Sequence, residues 1–507
     1  MSTKTPMTRN IATLGLLTGL CLLPAAIKLV CYPGYPGADD AFIHLAIIEN
    51  IHQGLGCGIN PHEPVFLSTS PLFTAFFSVL RMFTPSVLAV GMLLSSLASA
   101  LYILGVFTLS RRLSGRTAWG LIAAALAATN VHLWRWNGTF MEVTFAMAAA
   151  IGLINGFLRI QDATGRRRLK LFLLTGLALA TTVLLRPELG LLCPAFLAHS
   201  ALNNRRKWLA DGTALAAGFA LALLPVLVSL YLCFGYITPT TATAKTTTEL
   251  LWLNLPVWTQ LAKTTASGCF GSLIMIGLAG LTIILRPSSL PWRNLMAKTT
   301  LLWIFPLLGF CFYSLKAPGL QSAARYFLPF MSVLPVLAAI LGAKTLSANR
   351  RMFTMACSVC ALQLATALFI NERILRPVLT GMMPEYVATM RRATAQIGTR
   401  ANPGDTALVY YDIGVVAASR PPNVRLLDGG GLATLEFQKK ALPDMVRMAH
   451  PRFILENLGT AENYVAQSLR DNGLVYRQVW SRKFRSHSVE HRHNIYEARL
   501  FQRETPP

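Results

Sequence analysis

Asp39 and Asp40 stand side by side in Tyr35-Pro-Gly-Ala-Asp39-Asp40-Ala-Phe-Ile-His44, just past the first apolar run of a chain poor in acids. Adjacent carboxylates repel and cost free energy unless a cation or a reaction uses them. Such a pair suits two chemistries: a general base that deprotonates a hydroxyl, and part of a ligand set for a divalent cation. Residues 1–371 hold nine acids: Asp39, Asp40, Glu49, Glu63, Glu142, Asp162, Glu188, Asp211 and Glu249. Cations at the ends of apolar runs accompany them: Arg135, Arg186, Lys245, Lys316 and Arg325. Ionisable groups at a bilayer boundary are functional candidates by default, and guanidinium forks match phosphate oxygens. The competing reading of any one cation is an ion pair that fixes a helix end.

The elements that position these residues follow from composition. The chain has 507 residues, 53% of them hydrophobic and 13% charged, with mean hydropathy +0.47. Soluble domains carry about 25% charge. The net charge of +24 is spread in short clusters between apolar runs, with no nucleic-acid-binding motif. That pattern belongs to a polytopic membrane protein and excludes nucleic acid as the partner. Eleven runs read as spans of ~20 residues, near 11–31, 87–110, 117–131, 140–160, 168–185, 187–203, 209–233, 267–285, 299–315, 325–343 and 352–371. With the N-terminus cytoplasmic, inner loops and their edges hold 17 Lys and Arg against 7 outside, as the positive-inside rule requires. Asp162 and Asp211 then fall inside and read as solvated loop charges. The other seven acids fall on the outer side or at its boundary. Residues 1–31 read as an uncleaved anchor rather than a secretory signal.

The long first outer segment, 32–86, reads as organised structure. Residues 39–52 have acids at a helix start and i, i+3, i+4 apolar spacing, which predicts an amphipathic interfacial helix. Gly54, Gly56 and Gly58 end it and Asn60-Pro61 turns the chain. Ser70 is the expected N-cap of a next helix, with Pro71 at its first position. His44 and His52 share a face, for packing, hydrogen bonding or, at His44, a substrate contact. Asn137-Gly138-Thr139 fits a glycosylation sequon. Cysteines within spans act as small apolar residues, and only Cys31 and Cys57 could meet outside. Residues 372–507 lose the apolar runs and form a separate soluble α/β unit of about 135 residues, enough to bury its own core. Strands are expected at 406–411, 424–427, 452–456 and 494–501, and helices at 383–397 and 461–472.

Several of these stretches share a resemblance. DDAFIHL, GLGCGINP and STSPLFT are similar to the first outer loop of GT-C glycosyltransferases of the terminal arabinofuranosyltransferase type. Those are polytopic enzymes that take a sugar from a polyprenyl phosphate. Phe73 stands where that family has Trp. Met141-Glu142 resembles its Gly-Met-Glu-Thr, with departures at Phe140 and Val143. Leu185-Arg186-Pro187-Glu188 matches its Arg-Pro-Glu, and Arg325-Tyr-Phe-Leu-Pro329 its Arg-Tyr-x-x-Pro. The stretch from Phe234 to Thr240 with Lys245 resembles its Gly-x-x-x-Pro-Asn…Lys, with Thr240 for Asn. Asp412-Ile-Gly414 through Asp428 resembles its C-terminal module.

The resemblance implies a GT-C-like fold of about eleven transmembrane helices over residues 1–371 and an extracytoplasmic α/β domain over 372–507. It implies transfer of a sugar, arabinofuranose being the family's best-known, from a polyprenyl-phosphate donor to a glycan, lipid or protein acceptor. The expected setting is the outer face of a bacterial inner (plasma) membrane. Asp39 and Asp40 are the catalytic acids, with Asp39 preferred as the base and Asp40 as ligand to a divalent cation such as Mg, Mn or Ca. Arg186, Arg325 and Lys245 are expected to hold the donor phosphate, and Glu142, Glu188 and His44 to contact substrate. The rival reading is a transporter or flippase of a lipid-linked anionic glycan precursor; a third is a non-enzymatic assembly partner in cell-envelope synthesis.

Overall fold

The computed structural model describes residues 6–245, 254–285, 292–316, 323–345, 350–438, 440–459, 464–485 and 495–504. The protein is a helical integral membrane protein with a small C-terminal sheet. Among the described residues nine helices are long and apolar enough to cross a bilayer: Asn10–Cys31, Val87–Ser114, Val143–Ile160, Gly165–Leu185, Trp208–Phe234, Leu255–Leu285, Leu295–Leu315, Ala324–Thr345 and Arg351–Gly398. Two of the eleven expected spans are shorter. Thr117–Ala128 and Leu192–Asn203 have 12 residues each, about 18 Å at the α-helical rise. The first is cut off because the Asn130 side chain accepts the N–H groups of His132 and Leu133 and starts the new helix Val131–Trp136. The second is preceded by the 3-10 turn Pro187–Leu191, since Pro187 cannot continue the helix before it.

The chain divides into two compact units. The first comprises Met1–Pro33, Met92–Val226 and Thr247–Glu372; the second comprises Gly34–Gly91, Leu227–Thr246 and Arg373–Pro507. Within the first unit buried polar side chains tie helices together, as expected where lipid offers no hydrogen bonds. Gln363 donates to the Leu126 carbonyl and Thr129 hydroxyl and accepts from the Gly271 N–H. Asp211 is not a solvated loop charge: it is 1% exposed and takes a two-pronged bond from Arg168 at 2.8 and 2.6 Å. Asp162, by contrast, is exposed. Asn137 and Thr139 are fully buried, so the sequon is not open to glycosylation. Cys31 and Cys57 are both free thiols.

The second unit is built on a five-stranded sheet of order β2-β1-β3-β5-β4. Its strands are β1 (Thr406–Tyr410), β2 (Arg425–Asp428), β3 (Phe453–Gly459), β4 (Tyr476–Arg485) and β5 (Ile495–Arg503). β1 pairs in parallel with β2 and β3, whereas β5 runs antiparallel between β3 and the edge strand β4. β1, β2, β3 and β5 lie where apolar runs predict them; position 494 lies outside the described residues. β4 escaped the sequence because Arg477, Arg482, Lys483 and Arg485 interrupt its apolar alternation, which an exposed edge tolerates. The helix Leu442–Ala449 escaped for shortness. Leu408, Leu427, Leu442, Val446, Ile454 and Phe501 form the core. The expected helix 383–397 is present as Met383–Gly398, and that at 461–472 as Tyr464–Asp471, with 461–463 outside the described residues.

The Asp39–His52 helix belongs to this unit and is not the amphipathic surface helix its spacing predicted. Ala41, Phe42, Ile43, Ala46, Ile47 and Ile48 are all buried, because apolar residues occupy consecutive positions and so surround the helix. A two-pronged Glu49–Arg81 ion pair at 2.8 and 3.0 Å joins it to the Pro71–Arg81 helix. Pro71 opens that second helix as expected, but the Ser70 side chain makes no cap hydrogen bond. Asn60 imitates a neighbouring strand: its amide donates to the Leu426 carbonyl at 2.8 Å and accepts from the Leu426 N–H at 2.9 Å.

Candidate active site

Each unit gathers its own charged cluster. In the second, Asp39 and Asp40 form the first turn of the Asp39–His52 helix. One helical step, about 100° of rotation, separates their side chains. Asp39 is 8% exposed. Its carboxylate accepts the Gly414 N–H at 2.6 Å and the Val415 N–H at 2.9 Å. These are N–H groups at the start of the Gly414–Ala418 helix, which carry no intrahelical partner. The Tyr386 hydroxyl donates to it at 3.4 Å. A side chain at position 414 would stand 2.1 Å from the Asp39 carbonyl oxygen, so only glycine allows this approach. Burial, and then the Asp412 carboxylate, hold the Asp39 pKa well above its usual value, against the pull of the two N–H bonds. Asp40 remains partly exposed.

Two further acids end the parallel strands. Asp412 follows β1, its carbonyl accepting from the Asn457 amide. Asp428 closes β2 and is fully buried; its carboxylate accepts the N–H groups of Gly430, Leu432 and Ala433 at 2.9, 2.7 and 2.8 Å. Burial dominates and raises its pKa to about 6. The glycine-rich run after Asp428 carried no signal in the sequence that it would cage a carboxylate. His44 is 5% exposed, 3.1 Å from the Thr74 hydroxyl and packed on Phe73. It ties two helices together, the packing and hydrogen-bonding alternative of its sequence reading. Lys245 ends the short helix Thr240–Lys245, and its side chain lies outside the described part.

In the first unit Arg186, Glu142, Tyr313 and Arg325, all buried, cluster with the half-buried Glu188 and Tyr326. Arg186 caps the Gly165–Leu185 helix and Glu142 precedes the Val143–Ile160 helix. Arg186 meets Glu188 at 2.5 Å and Glu142 at 3.3 Å, and donates to the Arg325 carbonyl at 3.1 Å. Burial disfavours its charge, but Glu188 and Glu142 outweigh that and raise its pKa. The Tyr313 hydroxyl donates to Glu188 at 2.9 Å. Arg325 is 7% exposed, stacks on Tyr326 and donates to its hydroxyl at 2.5 Å. Arg186 is thus held by carboxylates that flank it in sequence order, and it holds Arg325 in turn. Tyr313 and Tyr386 had no sequence signal, since a buried tyrosine reads as core.

A divalent ion needs about six oxygen ligands. Among the described residues no three His, Cys, Asp or Glu side chains gather as a ligand set, and the Asp39 oxygens already accept backbone N–H groups. A cation held by Asp40 would therefore draw its remaining ligands from substrate oxygens and water, as magnesium commonly does.

The fold is that of the GT-C glycosyltransferases. ArnT from Cupriavidus metallidurans in the apo state aligns over 97% of this chain and 98% of its own, with TM-score 0.62 and 13% identity. The same protein bound to undecaprenyl phosphate aligns over 98% of both chains, with TM-score 0.57 and 12% identity. The Archaeoglobus fulgidus oligosaccharyltransferase AglB, in complex with an inhibitory peptide and a dolichol-phosphate, aligns over 88% of this chain and 69% of its own, with TM-score 0.53 and 12% identity. The sequence itself matches no protein-family model and no curated protein.

Proposed function

We propose that the protein is a polyprenyl-phosphate-dependent glycosyltransferase that moves one sugar onto an acceptor hydroxyl with inversion. The observation that carries this reading is the asymmetric acid pair: Asp39 is locked by backbone N–H groups while its neighbour Asp40 keeps partial exposure, in a fold shared with lipid-phosphate-binding transferases. Asp40 takes the role of base and Asp39 that of the group that fixes it. As the Asp40 carboxylate takes the acceptor proton, the acceptor oxygen bonds to the anomeric carbon. The bond from that carbon to the phosphate oxygen breaks, and polyprenyl phosphate leaves as the anion. Arg325 receives the phosphate charge, and Arg186, through the Arg325 carbonyl, positions it. Glu142 and Glu188 serve by orienting Arg186. His44 serves by packing, and Lys245 is a second candidate for the phosphate.

Arabinofuranose is the first donor to try, and the outer face of a bacterial inner membrane is the proposed setting, with the sheet of residues 372–507 on that side. The test is direct: purified protein in nanodiscs receives labelled polyprenyl-phosphate sugars and a panel of acceptors, and products are weighed by mass spectrometry. A product heavier than its acceptor by one sugar, made with wild type and lost with Asp40→Asn, supports the reading. Donor carried across a vesicle membrane without any product would replace it with a transporter.

A further inference from the structure

The order β2-β1-β3 makes β1 central among the parallel strands. The chain leaves it first toward one side and then returns to the other. Open α/β sheets bind ligands outside the C-terminal strand ends at such a reversal. What stands there is a group of tyrosines. Tyr410 is the last residue of β1, Tyr411 follows it, and Tyr464 opens the helix after β3. The Tyr410 ring lies 4.6 Å from that of Tyr411 and 6.3 Å from that of Tyr464, the latter nearly parallel at 20°. Tyr411 and Tyr464 are nonetheless 45% and 48% exposed. Large aromatic rings left in water at a strand end offer an apolar contact face to something.

The backbone sharpens the point. Tyr411 has φ +97°, a conformation natural to glycine and costly for a side chain. A glycine would relieve that cost, so the ring is kept at the expense of strain, as happens at binding sites. Charge then selects the ligand. Asp412 follows Tyr411, and the Arg499 guanidinium is engaged by Glu456 at 3.1 Å and by Glu497 at 2.9 Å. Among the described residues, the charged group that acts on the Tyr410 and Tyr411 rings is the Glu456 carboxylate, which disfavours an anion and favours hydroxyl donors. A sugar ring has both features required, a C–H face for the tyrosines and hydroxyls for the carboxylates. Asp412 also acts electrostatically on Asp39, so this strand end adjoins the acid pair.

The geometry points to a carbohydrate shelf at the C-terminal end of β1, where Tyr411 and Tyr464 take an uncharged sugar ring of the acceptor glycan. Calling that glycan the acceptor rests on the transferase reading; the binding itself does not.

The test uses full-length protein in nanodiscs and saturation-transfer NMR with three neutral probes (arabinan, galactan and mannan oligosaccharides), an anionic oligogalacturonide and an unrelated decapeptide. At least one neutral oligosaccharide binds wild type, and Tyr464→Ala and Tyr411→Gly each weaken it by on the order of tenfold, the loss of one ring contact. Tyr411→Gly raises the thermal midpoint as strain is relieved, an outcome opposite to that of a ring kept for stability. Arg447→Ala, at an exposed i,i+3 pair, binds as wild type does. Failure of every neutral probe, undiminished binding by both tyrosine variants, or binding of only the oligogalacturonide or the peptide would overturn the shelf. The measurement needs neither donor nor turnover. Its failure therefore leaves the transferase standing, and a wild type that binds glycan without transfer leaves the shelf standing.

Discussion

Arg186 and Asp39 are both buried charges, one in each unit, and they are compensated in different ways. Arg186 is met by side chains, Glu142 and Glu188, with Tyr313 bonded to the second of them. Asp39 is met by main chain, the Gly414 and Val415 N–H groups. Side-chain carboxylates can rotate or exchange protons when a phosphate arrives, so the arginine cluster suits a charge that comes and goes. Backbone N–H groups cannot move without unfolding the helix that carries them. The Asp39 end is accordingly a fixed point, from which a neighbouring carboxylate can be aimed.

Each side of that contrast can be broken separately. The largest effect is expected at Asp40: Asp40→Asn should slow sugar transfer by roughly 10²–10⁴-fold, the worth of a positioned base, with the thermal midpoint unchanged. Rates under saturating donor measure it. Next comes Arg186→Ala, which strands two buried carboxylates and should cost about 3–5 kcal/mol, read as a fall in midpoint; Glu142→Gln in the same chain should recover part of the loss. Asp428 supplies a pH signature. Its folded pKa of about 6 lies well above the ordinary aspartate value, so the folded state binds the proton more tightly. That contribution is present below about pH 4 and lost as pH rises through about 6, roughly 3 kcal/mol in all. Asp428→Asn should flatten the dependence between those values in thermal unfolding scans. The smallest effect is expected from Gly414→Ala. Its Cβ would press on the Asp39 carbonyl at 2.1 Å, and overpacking of this kind costs about 1–3 kcal/mol. Faster amide exchange at Gly414–Ala418 with the other strands unchanged checks it.

Much of this was legible in the chain and some was not, for physical reasons. Long apolar runs announce helices because each must be satisfied within itself in lipid, and strands β1, β2, β3 and β5 announced themselves as short apolar runs. The acids, Arg186 and Arg325 were visible by type and order. Which member of the acid pair is locked was not, since neighbouring helical side chains differ only in direction. That direction is set by Gly414, some 375 residues away in the chain. Burial of Asp211 by Arg168 and of Asn137 in its helix turn was hidden for the same reason: a pattern of types does not say what packs over them. Nor does periodicity say that 34–91 and 227–246 share a compact unit with the C-terminal strands.

A donor-binding and turnover experiment on one pair of proteins separates the roles of the two aspartates. Wild type and Asp40→Asn in nanodiscs are given the same labelled polyprenyl-phosphate sugar, and donor retained and sugar transferred are counted in parallel. Both proteins should retain donor equally, with transfer by Asp40→Asn at least ~10²-fold slower. Transfer by Asp40→Asn at the wild-type rate, with Asp39→Asn alone inactive at equal stability, would contradict those roles.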